Sequence, residues 1–133
     1  MPTRQQEWAK RAYQAVKQKM GSPLEADYAR VCKTFPALIH NSGLCQAVAF
    51  AQAKKEKGEE FGQYLDGLAI VLGTNSGELA RRSREEEVLS YQRFTQDTIA
   101  AASWMKRYAE ALLEDEKNNK KANNGPTEGP QEG

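Results

Sequence analysis

Apolar residues recur every three to four positions over most of this chain, and no stretch alternates with a period of two long enough to name a strand. Trp8, Ala12, Val16 and Met20 step by four, with Ala9 and Ala15 beside them. They predict a first helix that ends at Gly21, and Thr3 with Gln6 has capping-box spacing in front of it. Ser22-Pro23 has the order of an N-cap followed by proline at the first helical position. A second stripe follows, made of Leu24, Tyr28, Val31 and Phe35.

The most apolar window, from Phe35 to Phe50, changes direction in its middle. Pro36 lacks an N–H and disfavours the α conformation at Phe35, so the second helix is expected to end there. Leu38 and Ile39 are too few for a helix but enough to plug a core. Asn41-Ser42-Gly43 supplies a turn, an N-cap and a permissive backbone position. Leu44, Ala47, Val48 and Ala51 then open a third helix, from about Gly43 to Lys57, which stops at Gly58.

Phe61, Leu65, Leu68 and Leu72, with Tyr64 and Val71 beside them, mark a fourth helix. Gly62 and Gly67 weaken it by about 1 kcal/mol each relative to Ala, so they either permit close helix approach or mark an irregularity. Gly73-Thr74-Asn75-Ser76-Gly77 reads as a turn, with a short helical piece around Glu78-Leu79-Ala80 after it. The last helix is the longest, from roughly Tyr91 to Glu116. Its seam is Tyr91, Phe94, Thr98 or Ile99, Ala102, Met105, Ala109 and Leu112. At about 100° per residue, Trp104 falls on another side with Arg93, Ala100, Arg107 and Ala111. The fold class is therefore all-α. Residues 1–117 are expected to form one helical bundle domain with a long C-terminal helix. Residues 118–133, polar and without core formers, are expected to be a disordered tail.

Composition narrows the chemistry. At 133 residues the chain can bury a sizeable core. Hydrophobic residues make up 39% and charged residues 28%. No run approaches the roughly 18 apolar residues of a membrane span, and the first residues contain no signal-like apolar segment. A cytoplasmic protein with Cys32 and Cys45 as reduced thiols is the expectation. The net charge of +1 is uneven: +3 as far as Leu113, from 16 basic against 13 acidic residues, and −2 from Glu114 on, from 3 against 5. A local basic face is compatible with that balance.

Candidate sites are few. One His and two Cys give no metal set, there is no Gly-rich phosphate loop, and no cofactor is expected. His40 with Cys45 makes a poor dyad, because a dyad needs an orienting third group and a cleft. A packed, hydrogen-bonded His40 is the plainer reading. Arg81-Arg82-Ser83-Arg84 is the densest basic cluster, followed at once by Glu85-Glu86-Glu87. It reads as a solvated, self-neutralising loop or as a loop that grips phosphate. Ser83 and Glu86 again have capping-box spacing. The Trp104 side of the last helix is either covered by another helix or left as a contact surface for a protein or a nucleic acid, since bases stack on aromatics and phosphates pair with Arg.

Three stretches carry a family resemblance: Phe35-Pro36-Ala37-Leu38-Ile39, then Asn41-Ser42-Gly43-Leu44-Cys45-Gln46-Ala47-Val48-Ala49-Phe50, and Tyr91-Gln92-Arg93-Phe94-Thr95 leading to Trp104-Met105-Lys106-Arg107-Tyr108-Ala109-Glu110-Ala111-Leu112. With Arg4 and the Ala-rich first helix, this pattern resembles the small, all-helical subunit of the type III-B CRISPR effector, the Cmr (RAMP module) complex. Met105 stands where that family usually has Leu. The resemblance runs from about Arg4 to Leu113, and the tail matches nothing in it.

The resemblance implies a single compact bundle of about five or six helices. It also implies a non-catalytic antiviral-defence subunit, several copies of which stack along the effector backbone and line the groove for target RNA. The implied partners are other Cmr/RAMP subunits, further copies of the chain, and the guide RNA–target RNA duplex or target strand. Lys17, Arg81, Arg82, Arg84, Lys106 and Arg107 are the candidate RNA-binding residues, and Arg93 and Trp104 the candidate subunit contacts. Two rivals remain: a helical protein–protein adaptor without RNA contact, and a helix-turn-helix DNA binder, for which no helix is basic enough along one face.

Overall fold

The computed structural model describes residues 2–114. The expected domain boundary after residue 117 and the polar tail lie outside them. Among the described residues there are six α-helices and no strand: α1 (Arg4–Lys17), α2 (Glu25–Ser42), α3 (Leu44–Lys54), α4 (Glu59–Leu72), α5 (Ser76–Glu85) and α6 (Val88–Leu112).

The capping box before α1 forms as its spacing predicts. The Thr3 hydroxyl oxygen accepts the Gln6 N–H at 3.1 Å, and the Gln6 side chain accepts the Thr3 N–H at 2.7 Å. Trp8, Ala12 and Val16 are buried, but the helix ends at Lys17, and Met20 is exposed in the turn that follows. Gly21, at φ +75°, belongs to that turn and is not the residue that stops the helix.

The Ser22-Pro23 start is displaced. The two residues form a turn, with the Glu25 N–H donated to the Ser22 carbonyl at 3.1 Å, and α2 begins at Glu25 without a side-chain cap. The expected stop at Phe35 does not occur either, because α2 runs through Pro36 to Ser42. An interior proline costs about 3 kcal/mol. It is offset by the burial of Val31, Cys32, Phe35 and Ile39 along one stripe, which a break at Pro36 would split. The corner then turns on a single residue. Gly43, at φ +87°, ends α2 by donating its N–H to Ile39 and starts α3 by accepting from Ala47. Asn41 and Ser42 are exposed last-turn residues of α2 and cap nothing.

α3 buries Leu44, Ala47, Val48 and Ala51 as predicted and ends at Lys54, before Lys57. In α4 the two glycines differ. A Cβ on Gly67 would lie 2.8 Å from the Tyr28 hydroxyl and 3.3 Å from Met105 Cε, so α2, α4 and α6 converge there. A Cβ on Gly62 would meet nothing closer than 3.6 Å.

The Arg81–Arg84 segment is not a loop. Asn75 caps α5 by accepting the Glu78 N–H at 2.8 Å, and the helix continues to Glu85. Ser83 is buried and donates to the Ala80 carbonyl at 2.7 Å, so it is not an N-cap. Charges spaced three and four apart along α5 favour the helix over a loop. α6 begins at Val88, three residues before Tyr91, and packs chiefly against α2 and α1. Phe94, Thr98, Ala102, Met105 and Ala109 form its buried seam, flanked by half-buried Tyr91, Ile99 and Leu112. The Glu114 N–H donates to Glu25 at 3.1 Å, which ties the end of α6 to the start of α2.

Candidate functional surface

The six basic candidates fall into two groups. Arg81, Arg82 and Arg84 are on α5. Lys17 closes α1, and Lys106 and Arg107 sit near the end of α6. Phe94, against which Arg82 packs, and Arg107 are separated by roughly 20 Å of helix axis.

The α5 guanidinium groups are engaged. Arg81 pairs with Glu78 through two nitrogens and reaches Glu85 at 3.5 Å. Arg82 contacts Glu86 at 3.3 Å, with its guanidinium carbon 3.9 Å from the centre of the Phe94 ring. Arg84 is 3.9 Å from Glu85. The hydrogen bond from Arg81 holds the Glu78 carboxyl below its ordinary range, and Glu78 in turn raises Arg81. The segment is self-neutralising, but it is helical. A phosphate arriving here would compete with carboxylates already in place.

The other group is placed differently. Lys17 has its Nζ 5.5 Å from the Tyr13 ring centre. Arg107 is exposed and Lys106 half-buried, and neither has an ion pair among the described residues. Between Lys17 and Arg107 lie three aromatic rings. Trp104 and Tyr108 are stacked, with centroids 6.0 Å apart and planes at 21°. Tyr108 meets Tyr13 edge-on at 5.4 Å and 80°. Trp104 is half-buried, and its indole N–H donates to Gln5 Oε1 at 2.7 Å. Thus α1 supports one edge of the indole but leaves it partly exposed. Sequence reasoning missed Tyr13 and Tyr108 as site residues. The usable signal was the four-residue step Gln5, Ala9, Tyr13, Lys17, which follows one flank of α1 beside its core stripe.

Arg93 and Trp104, the candidate subunit contacts, are on the same side of α6 with Asp97 between them, and Asp97 is paired with Arg4 at 3.1 Å. The start of α6 presents Val88 and Leu89, 70% and 81% exposed, the most exposed of the large apolar residues described, with Leu89 one turn before Arg93. An open cleft lined by Arg82, Leu89, Arg93 and Asp97 adjoins them.

His40 is exposed in the last turn of α2, not packed in the corner as expected. Cys32 and Cys45 are both free thiols. Burial pushes the Cys32 thiol far up, while Cys45 is half-buried with its backbone N–H donated to Tyr91. Among the described residues no group of three or more His, Cys, Asp or Glu is placed to hold a metal ion, and no helix is long and apolar enough to cross a membrane.

Comparison with known proteins gives this all-helical chain its class, that of the CRISPR-associated proteins. The family model described as CRISPR-associated protein (Cas_Cmr5) matches residues 4–112, the full span from the start of α1 to the end of α6. The protein described as CRISPR system Cmr subunit Cmr5 of Thermus thermophilus is 39% identical over 117 residues, covering 86% of this chain and 100% of its own length. The crystal structure of a CRISPR-associated Cmr5 family protein, also from Thermus thermophilus, superimposes with a TM-score of 0.81 at 38% identity, again over 86% of this chain and 100% of that one. The chain belongs to the Cmr5 family.

Proposed function

We propose that this chain is a non-catalytic structural subunit of a type III-B Cmr effector, working in the cytoplasm in antiviral defence. Its partners would be other Cmr/RAMP subunits, further copies of itself, and RNA. The observation that carries this reading is the extent of the family match. It covers every helix described, so it concerns the whole bundle and not one motif.

In this role, sequence is read by pairing between guide and target, and the subunit adds shape and positive charge. Its Lys and Arg side chains contact phosphates without base preference. Each contact is weak and salt-sensitive, and repetition along a row of copies supplies the strength. A row of identical copies needs two different contact faces on each one. Exposed Leu89, one turn before Arg93, supports one such face. For RNA contact, Lys17, Lys106 and Arg107 lead. Arg81, Arg82 and Arg84 follow, since RNA would have to displace Glu78, Glu85 and Glu86.

The test is neutralisation of Lys17, Lys106 and Arg107 in the reconstituted effector. Target-RNA affinity falls, and the slope of log affinity against log salt becomes shallower by about one for each phosphate no longer paired. Binding unchanged at every salt concentration contradicts the RNA role. The engaged arginines of α5 favour the second reading, a helical adaptor with no RNA contact. Its partner binding would be insensitive to salt.

A further inference from the structure

Trp104, Tyr108 and Tyr13 form a row of three partly exposed rings across the α1–α6 seam, bounded by Lys17 at one end and Arg107 at the other. We propose that this row is a base-stacking platform for single-stranded RNA. The proposal rests on the reading that the chain works beside RNA, and it adds a contact that phosphate pairing alone does not include.

Three features point to stacking. First, the single donor of the indole is already used by Gln5 at 2.7 Å, so Trp104 has only the ring face away from Tyr108 to offer a ligand. That bond and the Tyr108 ring also fix the orientation of the indole before anything binds. Second, small neighbours leave the ring accessible. Gln5, Ala100, Ser103, Trp104 and Arg107 line an open cleft of about 410 Å³. Third, the charge near the platform is positive. At about 100° per residue, Arg107 lies some 60° from Trp104 around α6, and Glu110 some 120° away. The nearest acid along that side, Asp97, is held by Arg4. On α1, Lys10 and Lys17 share the exposed side with Tyr13, and Glu7 is turned away toward Arg11, 3.6 Å from it.

This chemistry suits a strand whose bases are free. In an A-form duplex the base faces are already stacked and the rings would have nothing to cover, while unpaired bases stack on aromatic side chains and their phosphates pair with Lys and Arg. A protein partner fits less well, because the exposed aliphatic side chains Val88 and Leu89 lie at the other end of α6.

The full-length chain carries its own probe. Trp8 is buried and Trp104 is partly exposed, so quenching by bases reports on Trp104. At low ionic strength, a short oligouridine RNA is expected to quench the emission saturably, and added salt to reverse it. With labelled oligouridine and anisotropy as the readout, Trp104→Ala and Tyr13→Ala each weaken binding about tenfold, while Trp104→Phe retains most of the affinity. Thermal melts check that each variant is folded. No quenching, equal binding of a duplex of the same length, or wild-type affinity in folded Trp104→Ala overturns the platform. If the platform fails while the tagged chain still recovers Cmr proteins and guide RNA from its host, the subunit reading stands without it. If the chain recovers neither, that reading fails whatever the rings do in vitro.

Discussion

Tyr91 caps a helix to which it does not belong. Its hydroxyl oxygen lies 3.1 Å from the backbone nitrogen of Cys45, in the first turn of α3, and accepts that N–H. Gly43, the N-cap of α3, has no side chain with which to do so. The first N–H groups of a helix lack partners within it, and here α6 supplies one from 46 residues away. Tyr91→Phe keeps the ring and removes the acceptor. The expected loss is about 1 kcal/mol, read from the urea midpoint at unchanged slope. An unchanged midpoint would mean that water replaces the hydroxyl without cost.

Gly67 is held to glycine by Tyr28. A Cβ at Gly67 would sit 2.8 Å from the Tyr28 hydroxyl, which is buried and has no hydrogen-bond partner among the described residues. Gly67→Ala gains about 1 kcal/mol of helix propensity and incurs overpacking of about 1–3 kcal/mol, so net destabilisation is expected. Tyr28→Phe removes the obstructing atom. The double variant should therefore be more stable than Gly67→Ala alone. A double-mutant cycle that gives no coupling would place the strain elsewhere.

The two thiols should react at very different rates. Cys32 is fully buried, and desolvation pushes its thiol far above the ordinary range, whereas Cys45 is half-buried. A thiol-specific reagent should label Cys45 in the native chain and both residues after denaturation. Native labelling of Cys32 at a similar rate would show that α2 opens readily.

Acid should loosen the start of α5. The Glu78 carboxyl is held below its ordinary value of 4.5, first by the hydrogen bond from Arg81 and then by the Arg81 and Arg82 charges. A carboxyl depressed in the folded state contributes stability that is present above that ordinary value and is lost as the pH falls through the folded one. The pair lies at the surface in reach of solvent, so the effect is small. Glu78→Gln should flatten the fall in melting temperature below pH 4.5 and change little at pH 7. An unaltered acid limb would mean the pair contributes nothing in solution.

The stripes Trp8–Ala12–Val16, Leu44–Ala47–Val48–Ala51 and Phe94–Thr98–Ala102–Met105–Ala109 were legible in the sequence, because helical spacing of apolar residues directly reflects which side is buried. What misled was local punctuation. Pro36 is a strong breaker in isolation, but the core on both sides of it carries the helix through. Arg81-Arg82-Ser83-Arg84 looked like a loop because a charged run has no apolar stripe of its own, yet Leu79, Ala80 and Ser83 bury the inner side of α5. Of the candidate surface, the separation of Trp104 from the core seam was visible by counting. Its pairing with Gln5 and the contact of Tyr108 with Tyr13 were not, because they depend on how α1 lies against α6. Nor could the Tyr91 cap be read, since no local spacing links it to Cys45.

The most direct measurement is recovery of the tagged full-length chain from its native host, with identification of every protein and sequencing of every RNA that accompanies it. Membership of a type III-B effector predicts other Cmr/RAMP subunits and short guide RNAs in the same fraction. Recovery of the chain alone, or with unrelated proteins and no RNA, would contradict the account.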